Sequence, residues 1–197
     1  MSYITEGDLE NHILQDIDSS YSSWIASIIG FVEEYIDKYC DTNFASSSAN
    51  VIKYFDGSGT DEIFIGDFQS LTSVQVLQAD GNVESTLDAD VDYWKYPLNE
   101  DIKNTLKLVP TGKYSSFPQR PRALKVTGTW GWDTVPGPIK MAAIKLAAQL
   151  INEGLRGGQV NSESLGSYSV SYKNLDDKAD AMGVKNILDM YRPIFLE

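Results

Sequence analysis

The chain has 197 residues, is 42% hydrophobic and 22% charged, and carries a formal net charge of −12. That is the make-up of one folded domain, or of one domain with a substantial insertion, and it argues against any general affinity for nucleic acid or an anionic membrane. A single cysteine, Cys40, excludes an internal disulfide and a cysteine zinc cluster. With no basic-then-apolar leader and no apolar run near the roughly 20 residues of a membrane span, the expectation is a soluble protein made in a reducing compartment.

Thr5 followed by Asp8 has the form of a capping box and predicts a short helix over about Glu6–Leu14. A second helix is expected from Ser20 to Cys40. Trp24, Ile25, Ile28, Ile29, Val32, Tyr35, Ile36 and Tyr39 recur there at three- and four-residue spacing, while Glu33, Glu34, Asp37 and Lys38 fill the wet side. From Val51 the pattern changes to strands. "VIKYFDGSGTDEIFIG" and "LTSVQVLQADGNVES" read as hairpins, and "DYWKYP", "TLKLVP" and "ALKVTGTWGW" as later strands, about six in all. Trp130, Gly131 and Trp132 are expected to wedge the strands against the next helix. Pro136 and Pro138 fix the start of that helix, which runs to about Asn152. A strand "SYSVSY", a last helix over about Asp177–Tyr191 and an apolar tail complete the chain. The fold class is therefore α+β: a helical bundle body from the N- and C-terminal helices, with an antiparallel β-sandwich or barrel-like insertion in the middle. The expected boundaries are 1–50, 51–133 and 134–197.

Little in the sequence points to catalysis. His12, the only histidine, sits on an amphipathic helix without the partners a general base requires. Cys40 falls on an apolar helix face and reads as a small buried hydrophobe. No nucleophile elbow, phosphate-binding loop or His-Glu-x-x-His helix is present. "DGSGTDEIFIGD" has the alternating oxygens of a calcium loop, but Asp61 stands where that loop needs glycine and strands flank it. Asp88, Asp90 and Asp92 share one side of an extended segment and read as a solvated loop or a cation site. Arg120 and Arg122 in "PQRPR" are candidates to grip a partner's carboxylate or phosphate. No residue is expected to serve as a catalytic, cofactor-binding or metal-binding group.

The helix after the hinge is apolar over more than half its circumference. Ile139, Met141, Ala143, Ile144, Leu146, Ala147, Ala148, Leu150 and Ile151 exceed the stripe of about 100° that one core requires. The excess is covered either by the protein's own helices or by a neighbouring subunit. On the second reading Ala143, Ala147 and Leu150 form an oligomer interface. Past the last helix, Ile194, Phe195 and Leu196 either dock onto a partner or fold back on the protein's own core.

In ordered combination, three sets of motifs resemble the head–tail connector (adaptor, or head-completion) proteins of tailed bacteriophages. They are "YITEGDLENHIL" with "VEEYIDKYCDTNF"; "YFDGSGTDEIFI" and "LTSVQVLQADG" with "DYWKYPLN"; and "LKVTGTWGWDTVPGPIKMAAIKLAAQL" with "SESLGSYSVSY". The resemblance spans most of the chain. It implies a virion protein at the head–tail interface, made in the host cytoplasm. It further implies a homo-oligomeric ring of twelve subunits docked on the portal protein, with a stopper or tail-completion protein beneath. DNA passes through such a ring without specific binding, and no enzymatic activity, cofactor or membrane is involved. Shorter members lack a full β insertion. The competing readings are a monomeric β-module that binds carbohydrate or protein through aromatics of "DYWKYP", and a hydrolase built on the Asp88 cluster.

Overall fold

A computed structural model describes residues 2–45, 47–156 and 172–192. The chain divides into two compact units, one of residues 1–44 with 135–197 and one of residues 45–134.

The first unit is helical. Helix α1 (Glu6–Ile13) begins at the capping box: Thr5 Oγ1 accepts from the Asp8 N–H, and the Asp8 carboxylate accepts from the Thr5 N–H at 2.8 Å. It ends at Leu14, which takes the left-handed conformation. A 3-10 turn over Ser19–Tyr21 leads into α2 (Ser22–Cys40), two residues later than the periodicity suggests, because Asp18 caps the tighter turn first. Helix α3 (Gly137–Arg156) runs one turn beyond the expected end. The expected single last helix is two: α4 (Tyr172–Ala181) and α5 (Val184–Leu188), then a 3-10 turn to Tyr191. Gly183, at φ 66, interrupts them, since few other residues adopt that conformation without strain. The expected strand "SYSVSY" lies outside the described residues, apart from Tyr172, whose backbone opens α4. Leu9, Ile25, Val32, Ile36, Ile139, Leu146, Leu175, Val184 and Leu188 make the aliphatic core.

The second unit is one six-stranded antiparallel sheet: β1 (Val51–Phe55), β2 (Glu62–Leu77), β3 (Val83–Leu87), β4 (Tyr93–Tyr96), β5 (Lys103–Leu108) and β6 (Leu124–Trp130). The order is β1-β6-β2-β5-β4, with β3 also paired to β2. The long β2 spans the sheet only because its register slips. Ile63 and Ile65 face the core at odd positions, whereas Phe68, Val74 and Val76 do so at even ones. From Phe64 to Phe68 β2 advances four residues while β5 advances two, with Gly66 at φ 79 between them, and β2 slips again on β6 at Phe68/Ser70 and Leu71/Ser73; such bulges change which side chains face inward and bend the strand. The bent sheet encloses a single core that also takes in Leu87, Tyr93, Leu106, Phe117 and Leu124.

Both tryptophans of the hinge are used within this unit. The Trp130 ring packs on Phe55 and Phe68 with centroids 5.7 and 6.2 Å away, and its indole N–H donates to the Val51 carbonyl at 2.9 Å. Trp132 donates to the Asp67 carboxylate at 2.8 Å.

Candidate functional site

Helix α3 tests the interface reading directly. Ala143, Ala147 and Leu150 are 0% exposed, covered by the protein's own chain. The wide apolar surface is absorbed by α1, α2, α4 and α5, all of which pack on α3. Small residues are needed because the helices approach closely: a Cβ on Gly154 would lie 2.4 Å from the Trp24 ring. The three side chains are therefore core, and the oligomer interface assigned to them is corrected. A bulky charge at Ala143 or Ala147 would break the helical unit itself. Met141 and Leu155 are the exposed apolar residues of this helix.

The arginine loop is likewise tied inward. Arg120 donates through Nη2 to the Leu77 carbonyl and to Glu84 at 3.0 Å, so its guanidinium braces the end of β2 against β3 rather than reaching for a partner. Arg122 is exposed; its backbone N–H donates to Asp56 at 2.6 Å and its guanidinium stacks over Tyr54 at 4.1 Å. The oxygens of "DGSGTDEIFIGD" close a turn instead of a calcium loop. Thr60 bonds Ser58 and the Glu62 carbonyl, and Asp61 and Glu62 pair with Lys107 at 3.9 and 3.5 Å.

Asp88, Asp90 and Asp92 do not act together: Asp90 is exposed, and its backbone N–H donates to the Tyr93 carbonyl at 2.9 Å. Asp92 is 2% exposed. Its carboxylate accepts from the backbone N–H groups of Asp88 (2.8 Å) and Lys113 (3.0 Å) and pairs with the Lys113 ammonium at 2.9 Å. The Asp88 amide bond, with help from Lys113, holds its pKa below the ordinary carboxylate value despite burial. Lys113 also reaches Asp88 at 3.1 Å, so an ammonium already occupies the position a cation would take. In "DYWKYP", Tyr93 belongs to the core, while the register sets Trp94 opposite Lys107 and Tyr96 opposite Thr105 on the other face.

The acidic side of α2 is structured, not merely wet. Glu33 accepts from the Ser2 hydroxyl at 2.5 Å and the Tyr3 N–H at 2.6 Å. Asp37 accepts from the Tyr3 hydroxyl and from Asn43 at 3.0 Å, and the Tyr3 oxygen accepts from the Phe44 N–H at 3.0 Å. Burial pushes Asp37 up to about 6 and raises the Tyr3 phenol well above its ordinary value. Tyr35 and Tyr39 donate across to Asp176 and Asp189, at 2.9 and 2.8 Å. Cys40 is fully buried, its thiol pushed up to about 12 by burial, and it is inert as a nucleophile. Among the described residues no three His, Cys, Asp or Glu side chains gather in a way that would hold a metal ion, and no helix is long and apolar enough to cross a membrane. Ile194, Phe195 and Leu196 lie outside the described residues.

One recess escapes the sequence reading. His12 and Ile13 at the end of α1, Lys145, Gln149 and Asn152 on α3, and Met182 line an open cleft of about 320 Å³. In sequence Lys145 is one polar residue on the wet stripe of α3, like Lys140. Neither has a carboxylate three or four residues away; Lys140 finds Asp8 across the bundle at 2.9 Å, which nothing local reveals.

No family model matches the chain, and no curated protein matches its sequence. Its architecture is nevertheless shared. A chain in the solved structure of the neck of an empty GTA particle, computed with C6 symmetry, superposes with a TM-score of 0.61 at 12% identity, over 99% of this chain and 92% of that one. The protein thus has the mixed α+β fold of that chain, helices and β-sheet insertion together, as the sequence pattern predicts.

Proposed function

We propose that the protein is a structural head–tail connector subunit of a tailed phage or phage-like particle. As an adaptor, it forms a ring beneath the portal, extends the DNA channel and provides the platform for a stopper or tail-completion protein. The observation that carries this reading is the fold likeness to a neck chain over nearly the full length of both proteins. A partial match would fit any protein that borrows one module; a match across helical and β parts together supports a shared architectural role. In this reading the helical unit is the ring body, the ring has twelve copies, and Ile194, Phe195 and Leu196 dock on the portal. The role is non-enzymatic, and the protein resides in the virion.

The net charge of −12 suits a channel wall. Adhesion to DNA requires Lys and Arg contacts that release counterions, and a negative lumen lets the duplex slide. Electron cryomicroscopy of particles assembled with and without this protein tests the reading. A ring of density between portal and tail, present only when the protein is supplied, is the expected result. Particles that close and join tails normally in its absence would sink it. Removal of residues 193 to 197 is expected to block incorporation while leaving the melting temperature unchanged.

A further inference from the structure

The helical unit holds 8 Lys and Arg against 16 Asp and Glu, a net of −8. Where their side chains are described, its basic residues have partners with one exception. Lys38 pairs with Glu34, Lys140 with Asp8, Lys178 with Glu153 and Lys185 with Asp176, and Arg192 lies over Tyr39. Lys145 makes no hydrogen bond, ion pair or ring contact among the described residues, although acids outnumber bases two to one in the sequence of the unit. It is half-buried, and it faces the cleft shared with His12, Gln149, Asn152 and Met182, whose lining among the described residues contains no carboxylate. At the rim, between the lining residues Ile13 and Gln15, Leu14 is 90% exposed and left-handed at φ 56. A bulky residue gains nothing from that conformation in water.

Among the described residues the cleft thus combines a cation without a partner, the Asn152 amide and an apolar lip, while the Gln149 amide is already bonded to Glu153 at 2.7 Å; this fits a carboxylate carried next to an aliphatic side chain. The β unit presents that chemistry. In the loop after β4, Leu98 is 59% exposed and is followed by exposed Glu100 and Asp101, whose carboxylates make no hydrogen bond or ion pair among the described residues. The loop is held in shape from within: the Lys103 ammonium donates to the carbonyls of Pro97 (2.6 Å), Leu98 (3.0 Å) and Glu100. A preorganised loop loses little entropy on docking. We propose that the Lys145 cleft receives the Leu98–Asp101 loop of a second copy of this chain, with Glu100 or Asp101 on Lys145 and Leu98 against Leu14. Cleft and loop are different surfaces, so the contact is head-to-tail, the type that makes a ring when the rotation from copy to copy closes. For a chain of net charge −12, self-association needs such a local match to overcome repulsion. The inference deepens the ring reading and rests on it.

The test mixes the intact protein in ¹⁴N and ¹⁵N forms, treats it with a zero-length carbodiimide and maps lysine–carboxylate cross-links by mass spectrometry. Mixed-isotope links from Lys145 to Glu100 or Asp101 are expected. Lys145→Glu, whose melting temperature should match wild type because the side chain bonds nothing among the described residues, is expected to reduce association about tenfold, with recovery on mixing with a Glu100→Lys, Asp101→Lys partner. Overturning results are Lys145 links confined to one isotope, no Lys145 links above those of Lys95 and Lys125, or undiminished association by Lys145→Glu. Incorporation of wild-type protein into particles is scored separately. A protein that enters the neck without the mixed link rejects the cleft contact alone; a protein absent from the neck rejects the connector reading whatever the cross-links show.

Discussion

The two units hold their carboxylates at different depths, although in both some of them bond backbone N–H groups, as Glu33 does for Tyr3. In the helical unit, acids on one element meet hydroxyls and ammonium groups from another: Asp37 with Tyr3, Asp176 with Tyr35 and Lys185, and Glu153 with Lys178 at 2.6 Å. These bonds lie at the margin of an aliphatic core that stands without them. In the β unit the best-buried acid, Asp92, satisfies backbone N–H groups of two loops, and Asp56 does the same for Arg122. Side-chain bonds at a margin can be lost singly at about 1 kcal/mol each, whereas a carboxylate that satisfies buried amides leaves orphaned donors when removed. The helical unit should therefore yield gradually and the β unit abruptly.

The largest expected effect lies in the β unit. A Cβ on Gly57 would sit 1.7 Å from the Pro118 carbonyl oxygen, and the Gly57 N–H is bonded to the Arg120 carbonyl at 2.9 Å. Backbone on both sides cannot give way, so Gly57→Ala should cost on the order of 4 kcal/mol, read by urea unfolding. Next comes Asp92→Ala, expected to cost about 3 kcal/mol by the same measurement, with the loops around Asp88 and Lys113 gaining amide hydrogen exchange. A loss below about 1 kcal/mol would erase the contrast between the two units.

Gly154→Ala probes the helical unit with a clash of similar kind against a softer neighbour. Its Cβ would meet the Trp24 ring rather than backbone, and α2 and α3 can move apart slightly, so about 2 kcal/mol is expected, with Trp24 fluorescence shifted to the red. A loss equal to that of Gly57→Ala would show the helical unit to be no more adaptable than the sheet.

The smallest effect sharpens the comparison through pH. Asp37 is raised from 3.8 to about 6 in the folded protein, so between those values the folded state binds more protons than the unfolded one. Stability from this group therefore rises as pH falls from 7 to 5, by about 1 kcal/mol. Tyr3, Glu33, Asn43 and the Phe44 amide surround it, and of these Glu33 opposes its ionisation. Asp92, with a lowered pKa, acts the other way: its contribution is complete above 3.8 and is lost only as pH falls through its folded value. Denaturant titrations at pH 7 and pH 5 should show the gain in wild type and none in Asp37→Asn. An unchanged slope in the variant would assign the effect elsewhere.

Much of the fold is legible locally. The capping box at Thr5 and Asp8, the periodicity of α2, the Asp80-Gly81 turn and the proline start of α3 each depend on residues within a few positions of one another, and each forms as expected. The break at Gly183 is present in the sequence but carries little weight there, because a lone glycine in a polar helix is often tolerated. The slip in β2 is not legible, since which residues face inward depends on β5 and β6 lying alongside.

Surface roles divide along the same line. Sequence alone established that α3 has more apolar surface than one contact needs, that the chain is acidic and that its middle third is β-structure, because composition and period are local properties. It could not establish what covers Ala143, Ala147 and Leu150, which partners Arg120 meets, or that Lys145 faces a recess without a counter-charge among the described residues while Lys140, five residues earlier, meets Asp8. Those outcomes depend on which elements pack together, and the lysines differ only in what stands opposite them. Burial and charge pairing are decided between segments distant in sequence, so only the tertiary structure could separate core from candidate interface.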